Sequence, residues 1–119
     1  MAAPNLKSPT TVTGKTARYA VTDSTAAALS NGAASGKVLK VSSVFCANID
    51  GSVAYDITLN HYDGSTDVAL APAITVPAKA TQVLVSRDAY IYLEEGQSLR
   101  ASTTANSKLV LVIGYEEIS

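Results

Sequence analysis

Two adjacent acid pairs stand out in this sequence, Glu94-Glu95 and Glu116-Glu117. The first lies in AYIYLEEGQSL (89–99), next to Tyr90 and Tyr92. Carboxylates set close together serve as acid/base pairs or as ligands for hard cations. Neighbours on a strand point to opposite faces, so neither pair converges if these segments are extended. Glycosidase carboxylates also face each other across a cleft, and an aromatic lining built on Trp is excluded because the chain has none.

The other chemical candidates are single residues. His61 is the one histidine, on the apolar face of its segment near the end, which reads as a half-buried rim position. No G-x-S-x-G elbow is present to serve a Ser-His-Asp triad. One His and one Cys cannot assemble an ordinary zinc site within one chain. Cys46, in VFCAN, reads as a small buried hydrophobe without basic neighbours to activate it. Asp50, Asp63 and Asp67 lie near loops but lack calcium-loop spacing, and Asp-Gly at 50–51 and 63–64 is ordinary turn chemistry. The expectation is a non-enzyme without metal or cofactor.

Bulk composition narrows the class further. The chain has 119 residues, enough for one domain with a real core. Nine basic residues against ten acidic ones give a net charge of -1. The cations are scattered, so no nucleic-acid footprint appears. No leader pattern and no bilayer-length apolar run is seen, so the expectation is a soluble protein made in a cytoplasm, without a membrane partner. Charged residues make up only 16% and hydrophobic ones 47%, with mean hydropathy +0.18. That sparse charge suits a surface partly covered by another subunit.

The elements that position these residues read almost wholly with period two. Only STAAAL (24–29) resembles a helix, a single capped turn too short to stand alone. Strands are expected at 15–21, 37–49, 52–62, 66–71, 74–76, 81–85, 89–95, 98–103 and 108–118. Within 37–49 the better apolar face holds Leu39, Val41, Phe45 and Ala47. Asn48-Ile49-Asp50-Gly51 reads as a hairpin turn requiring positive φ at Gly51, and Asp63-Gly64-Ser65 reads as a second hairpin. Gly96 turns the chain after Glu94-Glu95, with Leu99 returning to the core. Pro72 and Pro77 mark edges or corners. The result is one all-β domain, an antiparallel, jelly-roll-like sandwich of about eight strands over 15–119. Residues 1–14 are an extended N-terminal arm.

The last strand is apolar on both faces. Leu109, Leu111, Ile113 and Tyr115 share one, and Val110, Val112 and Ile118 the other. In a two-layer sandwich the second set faces outward and calls for a cover, either the arm or another subunit.

The order GKT (14–16), SGKVLKVSSVFCANIDGS (35–52), ITVPAKATQVLVSRDAYIYLEEGQSLRAS (74–102) and GYEEIS (114–119) resembles small virion structural proteins of tailed bacteriophages, especially those of cyanobacteria and other aquatic bacteria. The resemblance spans roughly 10–119; its most specific parts are VPA (76–78), YLEEGQSLR (92–100) and YEEI (115–118). None of these is a catalytic motif. The resemblance implies a β-sandwich made in the host bacterial cytoplasm and carried on the virion. Its implied role is capsid decoration: a cement protein binding the major capsid protein of an assembled shell, as a homo-oligomer with a trimer favoured. A neck, tail-adaptor or fibre-base component is the alternative, and a carbohydrate-binding sandwich a more distant one. The expected interface residues are Pro4, Asn5 and Leu6 of the arm, which is expected to add to a neighbouring chain by strand addition or by lying across the shell, with Tyr90, Tyr92, Val110, Val112 and Ile118.

Overall fold

Alternation along the last strand is expressed directly in burial. Leu109, Leu111 and Ile113 are fully buried, while Val110 and Val112 between them are half-buried. The same pattern, repeated along the chain, builds two antiparallel sheets around one core. The computed structural model describes residues 11–86, 88, 90–104 and 108–119. The strands are β1 (Val12–Ala20), β2 (Ala26–Ser30), β3 (Val38–Asn48), β4 (Tyr55–Tyr62), β5 (Asp67–Val76), β6 (Thr81–Val85), β7 (Ile91–Leu93), β8 (Ser98–Thr103) and β9 (Leu109–Ile118).

The front sheet has the order β1-β9-β3-β6, with β7 also paired to β3. The back sheet has the order β2-β8-β4-β5. Strands pair in nested fashion: β4 with β5, β3 with β6, β2 with β8, β1 with β9. This is the winding of a jelly roll, in which a long hairpin is rolled so that consecutive strands mostly change sheet. Ile57, Leu59, Leu99 and Ala101 of the back sheet meet Val41, Val44, Leu111 and Ile113 of the front in the core cluster.

Several expectations change on the structure. STAAAL forms no helical turn; Ala26–Ser30 is a strand against β8, with Leu29 in the core. Alanine favours helix, but so short a segment gains more from a ladder and a buried leucine. β1 starts at Val12, inside the segment read as an arm, because Val12, Thr13 and Gly14 pair with Ile118, Glu117 and Glu116. Residues 1–10 lie outside the described residues. The segments 66–71 and 74–76 are one strand, bent at Pro72 and at Ala73, whose φ is 50°.

Asn48-Asp50-Gly51 is not a hairpin. It carries the chain from β3 in the front sheet to β4 in the back. Asp50 Oδ1 accepts from the backbone N–H of Ser52 and Val53, at 2.9 and 3.3 Å. Gly51 is not among the positive-φ glycines, and a side chain there would meet only the flexible end of Lys79. The Asp63–Ser65 hairpin is present, with Gly64 at φ 104° and Asp63 Oδ1 accepting from Ser65 and Thr66. Gly96 has φ 82° and turns the chain from β7 to β8, between sheets rather than within one.

Candidate functional site

The acid pairs are taken up by structure. Glu95 Oε2 accepts the Gly36 N–H at 3.1 Å, while Glu94 is exposed. The turn between them and β8 is closed by Gln97 N–H donating to the Glu94 carbonyl at 3.0 Å. Glu117 accepts from Lys37 Nζ at 2.7 Å and Lys15 Nζ at 3.0 Å. Those two hydrogen bonds, Lys37 first, hold its carboxyl below the usual range. Glu116 lies on the opposite face, across from Lys40 in register.

The other candidates are equally occupied. His61 is half-buried beside Gln97 Oε1 at 3.3 Å. Cys46 is buried, which pushes its thiol up to about 11. Asp50 takes the Tyr55 hydroxyl at 2.9 Å, and Asp67 pairs with Arg100 at 3.1 Å. Among the described residues, no group of three or more His, Cys, Asp or Glu is placed to hold a metal ion.

What remains is a surface. Residues paired across antiparallel strands share a face, so the register defines the outside of the front sheet. One row runs Arg18, Val112, Phe45, Val83 across β1, β9, β3 and β6. The next runs Ala20, Val110, Ala47, Thr81. Phe45 is 37% exposed and Val83 49%, so the centre of this face is apolar and open. Along the same face, Lys40 pairs in register with Tyr92. Its ammonium stands 4.4 Å from the centre of the Tyr90 ring, and Tyr90 meets Tyr92 edge-on at 5.5 Å.

Tyr90 and Tyr92 therefore lie on the same side of the sheet as Val110 and Val112, toward the other end of β3. Ile118 is on that side too, but it is only 7% exposed and offers a partner almost nothing. It is paired in register with Val38, which is 5% exposed; both lie outside the main core cluster. Pro4, Asn5 and Leu6 lie outside the described residues.

Phe45 and Val83 are the surface residues that sequence reasoning missed. Strict alternation from Leu39 puts Phe45 inside. A register shift between Val41 and Ser43 reverses the parity, so Val44 and Cys46 turn in and Phe45 turns out. The Ser42-Ser43 pair in an apolar strand was the available signal for that bulge.

No protein-family model matches the chain, and no curated protein matches it.

Proposed function

We propose that this chain is a virion structural protein of a tailed bacteriophage: a capsid decoration protein that docks on the assembled major capsid shell and stabilises it as an oligomer. The supporting observation is the outer face of the front sheet, where Val112, Phe45 and Val83 form an open apolar row without charged residues between them. Such a row fits the apolar centre of a protein–protein contact. The flanking Lys40, Tyr90 and Tyr92 supply the aromatic and cationic rim that such contacts use. The sequence resemblance supplies the partner's identity, since a jelly roll serves many functions.

Quantitative mass spectrometry of purified particles tests this reading. A copy number that is a fixed large fraction of the major capsid protein is expected. A single ring's worth of copies would move the chain to the neck or tail, and absence from particles would overturn the virion reading.

A further inference from the structure

The five strands that are paired on one side only are not alike, and β7, with three residues, is the shortest of them. β5 is interrupted by Pro72 and by the positive φ of Ala73, and its ladder slips twice against β4. β2 and β6 have five residues each and a register shift apiece. These are the usual ways in which sheet edges are blunted. β1 has none of them. It is nine residues long, free of proline, and paired to β9 without a shift. Among the described residues, no strand pairs with its far side.

Hydrogen-bond parity shows what that far side presents. Thr11 exchanges both backbone bonds with Ser119, and Val21 N–H donates to the Leu109 carbonyl. Odd-numbered residues therefore aim their N–H and C=O at β9. Val12, Gly14, Thr16, Arg18 and Ala20 aim theirs outward, along an exposed edge.

We propose that β1 pairs antiparallel with β1 of a second copy, about a two-fold axis through Thr16. Centring on Thr16 matches Val12 with Ala20 of the other copy, Gly14 with Arg18, and Thr16 with Thr16. All nine residues are then paired, and the five outward residues of each copy meet one another, as the parity requires. The axis carries a Thr–Thr pair, which is favourable across strands. Centring on Lys15 would oppose two lysines and shorten the ladder.

Charge supports the same register. Gly14 is paired with Glu116 on its other side, on the outer face that Arg18 also occupies. In the dimer, Arg18 of one copy therefore faces Gly14 of the other, with that copy's Glu116 one strand beyond. Two strand spacings put their Cα atoms about 10 Å apart. Gly14 has no side chain in the way, so guanidinium and carboxylate meet over it, twice by symmetry. The dimer joins two front sheets edge to edge and sets both apolar rows on one continuous face. Because each copy has one such edge, the assembly closes at two. A two-fold of this kind is an alternative to the three-fold expected from the resemblance, and it stands independently of any capsid.

Sedimentation equilibrium of the purified full chain, from micromolar to millimolar, tests the proposal. Wild type is expected to be a saturating dimer. Thr16→Pro removes an N–H that the β1–β9 ladder does not use, and should give a folded monomer by circular dichroism. Arg18→Glu should weaken dimerisation at least about tenfold by turning both ion pairs into repulsions, and Arg18→Glu with Glu116→Arg should restore it. If Thr16→Pro fails to fold, the charge swap decides. A monomer at the highest concentration, or a dimer indifferent to Arg18→Glu, would overturn the proposal.

Discussion

The two outer faces of the sandwich solve the same problem in opposite ways. Across the centre of the back sheet, outward polar residues satisfy one another, and its exposed apolar residues, Val68 and Leu70, are confined to the edge strand β5. Thr75 Oγ1 donates to Asp56 at 2.7 Å, and the Thr58 hydroxyl accepts the Ala73 N–H at 3.1 Å. Arg100 pairs with Asp67 and lies 4.7 Å from the centre of the Tyr62 ring. On the front sheet, the row through Val112, Phe45 and Val83 leaves apolar area facing water. A polar face with internal partners is finished, whereas an apolar row gains free energy only when something covers it.

Charge added to each face is the sharpest way to break this contrast. Phe45→Asp with Val112→Asp should weaken docking on particles at least about a hundredfold, about 2.7 kcal/mol. Asn60→Asp with Ser102→Asp adds the same charge to the back face and should leave occupancy unchanged. Particle occupancy in a competition with wild type reads both. Equal losses would erase the distinction between the faces.

Next in size is a substitution that loosens what ties the two sheets together. Asn48 is buried at the end of β3, with Nδ2 donating to the Val53 and Val76 carbonyls, each at 3.0 Å. Its Oδ1 accepts the Asp50 N–H at 2.9 Å. Asn48→Ala strands the buried Val76 carbonyl and two part-buried partners and should cost about 1–3 kcal/mol in chemical denaturation. Asn31 makes a similar clasp elsewhere, donating to the Lys37 and Leu93 carbonyls. Arg100→Ala acts on a half-exposed pair and should cost about 1 kcal/mol or less in the same assay.

Much of this layout was legible in the sequence because period-two patterning reports burial directly. β4 shows it: Ile57 and Leu59 are buried, and Asp56, Thr58 and Asn60 are not. The two-faced β9 was legible for the same reason. Three things were hidden. A bulge reverses the alternation without changing composition, so Phe45 falls inside unless the Ser42-Ser43 pair is taken as the mark of the bulge. Asp-Gly marks a turn but not whether the chain stays in its sheet, so a crossing was read as a hairpin. The buried asparagines escaped for a related reason. Their partners are backbone carbonyls distant in sequence, and no local pattern announces them.

The smallest effect comes from pH, and it sharpens the comparison by involving neither face's centre. Glu117, on the side of β9 that turns toward Lys15, is held below its ordinary 4.5 by hydrogen bonds from Lys37 and Lys15. Asp50, in the β3–β4 crossing, is held below its ordinary 3.8 chiefly by the Ser52 N–H and the Tyr55 hydroxyl. A carboxyl that binds its proton less tightly in the folded chain stabilises the fold above its unfolded value. That contribution drains away as pH falls through the folded value. Stability is therefore expected to stay level from neutrality down to about the ordinary Glu value of 4.5 and to decline below it. Lys15, raised mainly by its bond to Glu117, adds the mirror-image loss at pH above 10.5. Glu117→Gln should flatten the upper part of the acid limb and leave the remainder, which belongs to Asp50 and Asp63. Thermal melts across acid pH read this. An acid limb unchanged by Glu117→Gln would mean that the two lysines merely lie near the carboxylate, and that the rim of the front sheet is held by its backbone ladder alone.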